Sequence, residues 1–301
     1  MCIDGCIHVT VRSVGFDEYR EAVQRAVTAL ADMPVSYRRP LTAIELAYGD
    51  VPRVRKDFDD AAVKIVELAG PVVRKMATQM AEEAIALARA KDVSGIARVA
   101  PSFVGELSAA FKRGLSAALT AGKQQVIDQH AQQTGAKLEL LLPPRRKQIK
   151  KVAEYLSARA DIESERISSV VAASVRATTI GQIARAASTE WIRDALDYEN
   201  PDSILSRAIL GGENALIGTA TAQAREAVGL GRLFALDEVK DKVESVTYTA
   251  ILDDNVCSVC ADLDGQEYTA DEAGKAPNDD CIGAQYGNEC RCYEVYVFTK
   301  D

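Results

Sequence analysis

The sequence predicts a mainly α-helical protein that ends in a small, cysteine-rich β module. Apolar residues recur at helical spacing over most of residues 16–232. Beyond Ser245 this period gives way to alternation, first over residues 246–252 and again over residues 293–298. Five of the seven cysteines lie between these two alternating segments. We therefore expect a body of long helices followed by a short module with two strands.

The first helical region is expected over residues 1–142. Pro71 and Pro101 each precede a new apolar stripe, and we place both in the first turn of a helix, where a missing N–H costs least. The stripes indicate packing between helices. One is formed by Phe16, Tyr19, Val23, Val27 and Leu30, and another by Phe103, Leu107, Phe111 and Leu115.

A proline pair, Pro143-Pro144, separates this region from a second helical region, which we place at residues 143–240. Proline removes a helical hydrogen bond and favours extended backbone in the residue before it. We expect further interruptions at Asn200-Pro201 and at Gly211-Gly212. Apolar residues near helical spacing follow the proline pair, namely Ile162, Ile167, Val170, Val171 and Val175.

The third region, residues 241–301, is strongly acidic. It holds 14 Asp and Glu residues against 4 Lys and Arg residues, although the whole chain carries a net charge of only −8. Such a segment repels phosphate backbones and suits a protein partner better. No apolar run approaches the roughly 18 residues of a membrane span, and the first eight residues do not resemble a signal peptide. We expect a cytosolic product without a membrane segment.

Two tight cysteine pairs, Cys257/Cys260 and Cys290/Cys292, flank Cys281 in this region. Pairs that are distant in sequence can supply four thiolates to one tetrahedral Zn²⁺. In a reducing compartment such clusters indicate metal more than disulfides. A module of about 60 residues also buries little apolar area, so it needs extra stabilisation such as a bound metal ion or a disulfide. We predict a zinc-ribbon-like module with one structural zinc ion, held by four of the five cysteines.

Other interpretations of the cluster are a disulfide, a reduced cluster without a ligand, and a catalytic zinc. Catalytic zinc sites commonly use histidine, and the two histidines, His8 and His130, lie far from the cluster in sequence. We expect His130 to be a solvated helix residue. The chain shows no recognisable nucleophile–histidine motif and no Gly-rich phosphate loop. We therefore expect no enzyme, with a zinc-dependent hydrolase or injected effector as the enzymatic alternative.

Three smaller features complete the set. A basic stretch provides a second alternative, contact with DNA phosphates, through Arg145, Arg146, Lys147, Lys150 and Lys151. Near the amino end, Cys2, Cys6 and His8 are three potential ligands without a visible fourth, which indicates coincidence. The stretch from Asp262 to Gly265 lacks the ligand series of a calcium loop and predicts a turn.

The cysteine-rich tail resembles the C-terminal signature of phage head morphogenesis proteins, the Mu F-like minor head proteins. The signature is an Asp before a CxxC pair, a Leu-x-Gly step and a terminal Cys-Arg-Cys. It is matched here by Asp253 to Tyr268, then Pro277 and Cys290-Arg-Cys292. The segment from Ala220 to Arg232 also resembles the helix that leads into the tail of that family. The resemblance covers residues 213–298.

This resemblance implies a virion component that is made in the host cytoplasm and retained inside the head near the portal. It implies portal or capsid proteins as partners and a role in assembly or DNA delivery. The long helices are compatible with further contacts, including self-association. Where the family has a histidine three residues before its Cys-Arg-Cys, this chain has Gly287, and Cys281 is the candidate replacement ligand.

Overall fold

The computed structural model describes residues 51–138, 146–185, 190–250, 256–278, 280–282, 290 and 292–299. The helices are α1 Val51–Arg89, α2 Val93–Ile96, α3 Val104–Thr134, α4 Arg146–Arg185, α5 Ile204–Val239 and α6 Ser258–Leu263. The strands are β1 Val243–Thr249, β2 Glu267–Tyr268 and β3 Tyr293–Phe298. This confirms the predicted fold class, a mainly helical protein with a small carboxyl-terminal sheet. The apolar stripe of residues 16–30 lies outside the described residues.

Helix α5 lies at the centre of the helical body, where it packs against α1, α3 and α4. Its contact with α3 is unusually close because two glycines face the opposing backbone. A Cβ atom on Gly122 would lie 2.0 Å from the carbonyl oxygen of Val228, and one on Gly231 would lie 2.0 Å from that of Leu119. Any larger side chain at either glycine would therefore push the two helices apart.

Two predicted helix boundaries are wrong. Pro71 does not open a helix but lies inside α1, whose buried face continues on both sides of it. Gly211 and Gly212 do not interrupt the second region either, since α5 runs through both. Packing explains Gly212, because a Cβ there would lie 2.6 Å from Val73 and 2.7 Å from Val171. Tertiary contacts have overridden local helix-breaking preferences at these positions.

Other predictions for the helical regions agree more closely with the structure. Pro101 lies before α3, which begins at Val104, and not in its first turn as predicted; the proline pair falls in sequence between α3 and α4. Much of each predicted apolar stripe is buried: Leu107, Phe111 and Leu115 on α3, and Ile167, Val171 and Val175 on α4. Ile162 and Val170 are instead exposed on the outer side of α4.

The three strands form an antiparallel sheet in the order β2-β1-β3. The two predicted strands are thus β1 and β3, and they pair from Val246 opposite Tyr296 to Thr249 opposite Tyr293. β2 is a two-residue strand that the sequence did not indicate. The predicted turn before it is present, with Gly265 at a φ of +79°, a conformation that glycine adopts without strain.

Side chains from the helices close the outer edge of β3, where the described residues supply no further strand. Gln133 of α3 donates to the carbonyl oxygen of Tyr296 at 2.7 Å and accepts from the N–H of Phe298 at 2.7 Å. Gln129, one turn earlier, donates to the same Tyr296 oxygen at 3.1 Å. Glu294 receives a hydrogen bond on its carbonyl oxygen from Arg232 of α5. These side chains satisfy backbone groups that an open edge would expose.

The module and the ends of α3 and α5 share one hydrophobic core. That core contains Val126 and Leu236 from the helices together with Val246, Tyr296 and Cys260 from the module. The boundaries proposed at residues 142 and 240 stay predictions. Among the described residues, no helix combines the length and apolarity that crossing a membrane requires.

The prediction that His130 is a solvated helix residue is wrong. The side chain is buried, its ring meets that of Phe298 edge-on at 4.9 Å, and Nδ1 lies 3.1 Å from the carbonyl oxygen of Ala136. Its burial arises because the carboxyl-terminal sheet packs against this face of α3. The position on the helix alone does not show that a strand from residue 293 onward will cover it.

Candidate metal centre

Cys257 and Cys260 lie at the start of the short helix α6. The backbone of Cys257 is extended, with φ −83° and ψ 154°, as is usual for the residue that caps a helix. Its sulfur accepts a hydrogen bond from the N–H of Cys260 at 3.4 Å. The cap thus places a thiol where a serine or aspartate oxygen commonly lies, and it holds the two sulfurs near each other.

Cys281 and Cys290 come from the long segment that joins β2 to β3, and both are buried. The sulfur of Cys281 lies 3.6 Å from that of Cys257, and the sulfur of Cys290 lies 3.8 Å from that of Cys260. Asn278 orients the second pair, because its backbone N–H donates to the Cys290 sulfur at 3.2 Å. The fold therefore brings thiols that are distant in sequence into contact.

Cys292 directly precedes β3 and is also buried. Because Thr249 pairs with Tyr293, the same register places Cys292 opposite Ala250 at the end of the sheet. Its thiol and that of Cys260 both lie beside the buried hydroxyl of Tyr248, although neither meets hydrogen-bond geometry with it. Burial and the neighbouring Cys292 raise the pKa of Tyr248, so its hydroxyl stays protonated and can donate.

The five thiols form two overlapping groups of three that share Cys260. One contains Cys257, Cys260 and Cys281, the other Cys260, Cys290 and Cys292, and within each group the sulfurs lie within 4.8 Å of one another. None of these five cysteines forms a disulfide with another described residue. Sulfurs in a disulfide would be about 2.05 Å apart. Four sulfurs at about 2.3 Å from one tetrahedral ion would be separated by about 3.8 Å, which the 3.6 and 3.8 Å contacts match.

The surroundings favour the thiolate form at two of these cysteines. Burial opposes ionisation of Cys257, but the N–H of Cys260 and neighbouring thiols outweigh it and lower the pKa of Cys257 to about 7. A hydrogen bond from Cys292 and the N–H of Asn278 lower the pKa of Cys290 to about 5. Burial raises the pKa of Cys260 to about 12, and the hydrogen bond to Cys290 together with burial raises that of Cys292.

This arrangement could hold a metal ion. A bound cation favours the thiolate form of every sulfur that it contacts, including Cys260, whose pKa burial raises. The backbone N–H groups that point at Cys257 and Cys290 are the kind of outer partner that orients metal-bound thiolates. The residues present therefore suit a thiolate-ligated ion.

The other residues that the sequence predicted as metal ligands or as DNA contacts are not part of this cysteine cluster. Cys2, Cys6 and His8 fall outside the described residues, as does Arg145 at the start of the basic stretch. Arg146 and Lys147 lie in the first turn of α4. Lys150 and Lys151 follow on the same helix with exposed side chains, and Lys150 lies 3.8 Å from Glu154.

Two residues beside the sulfurs were not anticipated from the sequence. Asn278 lies next to Pro277 in a segment without periodicity, and nothing in its spacing marks it as a partner of Cys290. Tyr248 was expected only as one residue of the alternating strand. Tyr248 lies two residues from the buried Val246, so both side chains lie on the same, inner face of the sheet. This spacing is the feature of the sequence that could have indicated a buried role for Tyr248.

Fold and site thus define a helical protein whose small carboxyl-terminal sheet carries a cysteine cluster able to hold a metal ion. No protein-family model, curated protein or solved structure matches this chain.

Proposed function

We propose that this chain is a minor head protein of a tailed phage, a portal-proximal virion component that acts in head morphogenesis. In this proposal one structural Zn²⁺ folds the carboxyl-terminal module. The observation that carries the zinc site is the sulfur spacing, 3.6 Å between Cys257 and Cys281 and 3.8 Å between Cys260 and Cys290. The phage assignment is supported by the resemblance of residues 213–298 to the Mu F-like tail signature.

Zinc is the ion that this ligand chemistry favours. Clustered thiolates select soft or borderline metals, and a tetrahedral four-sulfur set is typical of structural zinc sites. Four of the five sulfurs belong to buried residues, Cys260, Cys281, Cys290 and Cys292. Burial of this kind suits a closed structural site better than a catalytic one, which keeps a position open for substrate.

The acidic surface of the module supports docking to a protein. Many of its carboxylates are exposed, whereas Glu294 is buried and accepts hydrogen bonds from the Tyr268 hydroxyl and from the N–H groups of Gly274 and Lys275. A negative surface of fixed shape favours a positively charged partner and disfavours nucleic acid. A portal or capsid protein fits this role. The exposed carboxylates are Asp241, Glu244, Asp262, Glu267, Asp271, Glu272 and Asp280.

Elemental analysis of the purified full-length chain tests the zinc site. We expect one zinc ion per chain in protein prepared under reducing conditions. The double variant Cys257→Ser/Cys260→Ser is the matched control, and it should retain no zinc because both groups of sulfurs lose members. A wild-type chain that is fully reduced and folded but contains no metal would refute the zinc proposal.

Mass spectrometry of heads purified from cells infected with the encoding phage tests the virion assignment. We expect the chain in mature particles at a small fraction of the copy number of the major capsid protein. Particles from a phage that carries Cys257→Ser/Cys260→Ser should contain much less of the chain, because the docking module is not folded. Absence of the wild-type chain from the particles would exclude a virion role.

DNA contact through the basic stretch is the alternative function, and it rests on the exposure of Lys150 and Lys151 on α4. A titration with duplex DNA separates the two functions, because affinity that comes from phosphate contacts falls steeply with salt. The portal-proximal proposal expects no binding to duplex DNA at low salt. Tight binding that is lost in Lys150→Gln/Lys151→Gln would favour the alternative.

A further inference from the structure

We infer that the ion is held by Cys257, Cys260, Cys281 and Cys290, and that Cys292 is a fifth thiol that does not bind it. This assignment rests on the zinc site proposed above and names the ligands of that site. The sequence leaves any four of the five cysteines open as ligands. The structure distinguishes among them by sulfur positions, backbone donors and the place of each residue in the sheet.

Three of the ligands are assigned because they belong to one compact group of sulfurs. Cys257, Cys260 and Cys281 have their sulfurs within 4.8 Å of one another, and the first two are held in that geometry by the cap of helix α6. Cys281 approaches from a separate segment and contacts Cys257 at 3.6 Å. A tetrahedral ion bound to these three sulfurs requires a fourth ligand. The second group also contains Cys260, so the fourth ligand must be one of its other two members, Cys290 or Cys292.

Cys290 is the better fourth ligand for two reasons. Its sulfur lies 3.8 Å from that of Cys260, close to the edge length of a tetrahedral thiolate site. It also accepts a backbone hydrogen bond from Asn278, and Asn278 further directs its side-chain nitrogen at the Cys260 sulfur, 3.9 Å away. One residue thus contacts both sulfurs, as outer partners of metal-bound ligands do.

Cys292 is tied to the sheet instead. It adjoins β3, its sulfur lies within 4.8 Å of those of Cys260 and Cys290, and its thiol lies beside Tyr248 of β1, which also neighbours Cys260. In the assembled site the Cys292 sulfur lies between the Cys290 sulfur and the Tyr248 hydroxyl, and it can accept a hydrogen bond from that hydroxyl. This gives Tyr248, which is buried and otherwise without a hydrogen-bond partner among the described residues, a partner in the assembled site.

Cadmium-113 substitution of the wild-type full-length chain tests the assignment directly. Proton–cadmium correlation spectra show couplings to the β-protons of bound cysteines alone. We expect one cadmium ion per chain with couplings to Cys257, Cys260, Cys281 and Cys290, and none to Cys292. A coupling to Cys292, or two cadmium ions per chain, would overturn the assignment while leaving a metal site in place. A folded chain that binds neither cadmium nor zinc would instead sink the proposed zinc site along with it.

Single alanine variants provide an independent measurement by competition with a zinc chelator. Cys292→Ala should weaken zinc affinity by at most about 10–100-fold, the effect of losing an outer hydrogen-bond partner. Cys281→Ala and Cys290→Ala should each weaken it further, because a ligand is lost. Tyr248→Phe, which keeps the ring, should not exceed the effect of Cys292→Ala. Equal losses for Cys292→Ala and Cys281→Ala would contradict the assignment.

Discussion

Arg232 of helix α5 donates a hydrogen bond to the backbone carbonyl of Glu294, at the edge of strand β3. The same guanidinium donates to the side-chain oxygens of Gln125 and Gln129 on α3 and lies over the Tyr296 ring, 4.9 Å from its centroid. A buried cation therefore connects two long helices to the sheet that carries the cysteine cluster. Together with the glutamines of α3 and the shared core, this contact helps to fix the cluster on the body.

Replacing Arg232 with Met should lower the free energy of unfolding by about 2–4 kcal/mol, because buried acceptors on Gln125, Gln129 and Glu294 lose their donor. Urea denaturation followed by circular dichroism measures this. Arg193→Met is the matched control, since Arg193 is exposed at 82% and should change stability by no more than about 0.5 kcal/mol. Equal effects of the two substitutions would show that Arg232 does not link the elements.

Gly231→Ala and Gly122→Ala should each destabilise the protein by about 1–3 kcal/mol, because the added Cβ meets an opposing carbonyl oxygen at 2.0 Å. Gly218→Ala is the control on the same helix, α5, where a Cβ meets nothing within 4 Å. It should stabilise by about 0.5–1 kcal/mol, the usual gain of alanine over glycine in a helix. Thermal unfolding of the three variants measures these effects. Equal melting temperatures for all three would contradict the close contact between α3 and α5.

Lys123 and Glu238 form a buried ion pair between α3 and α5, at 2.8 Å, with side chains 1% and 6% exposed. Lys123→Met should cost about 3–5 kcal/mol because Glu238 stays buried without its cation, whereas Lys123→Met/Glu238→Leu should recover much of that loss. Lys64→Met is the control, since its pair with Glu67 is exposed and worth about 0.5 kcal/mol or less. A double variant as unstable as the single one would contradict this account.

Removal of the metal should loosen more than the module. If the module folded independently, loss of Cys257 or Cys260 would unfold mainly the residues beyond about 245 and leave the helices intact. Because the module shares a core with Val126 and Leu236 of the helices, we expect chelation also to reduce amide protection at the ends of α3 and α5.

Hydrogen exchange with mass spectrometry, with and without chelator, measures this effect. At zinc concentrations about 1,000 times Kd, binding adds about 4 kcal/mol of stability, which is lost on removal of the ion. Peptides from the middle of α1, remote from the module, serve as the internal control. Exchange that increases only within residues 243–298 would instead support an independently folding module.

Local sequence patterns were sufficient for much of the secondary structure. Alternation at residue 246 and after residue 293 predicted β1 and β3, and the proline pair marked the gap between α3 and α4. The spacing of Cys257, Cys260, Cys290 and Cys292 also indicated a shared site. These features depend on neighbouring residues, whose preferences and directions act over a few positions along the chain.

Tertiary structure decided what local patterns could not. Pro71 and Gly212 lie inside long helices because burial against other helices outweighs their local preferences, and His130 is buried because a distant strand covers it. The grouping of the sulfurs around Cys260, and the closure of the β3 edge by glutamines of α3, likewise join residues far apart in sequence. Such contacts form only when the helices and the sheet pack together, so no short stretch of sequence records them.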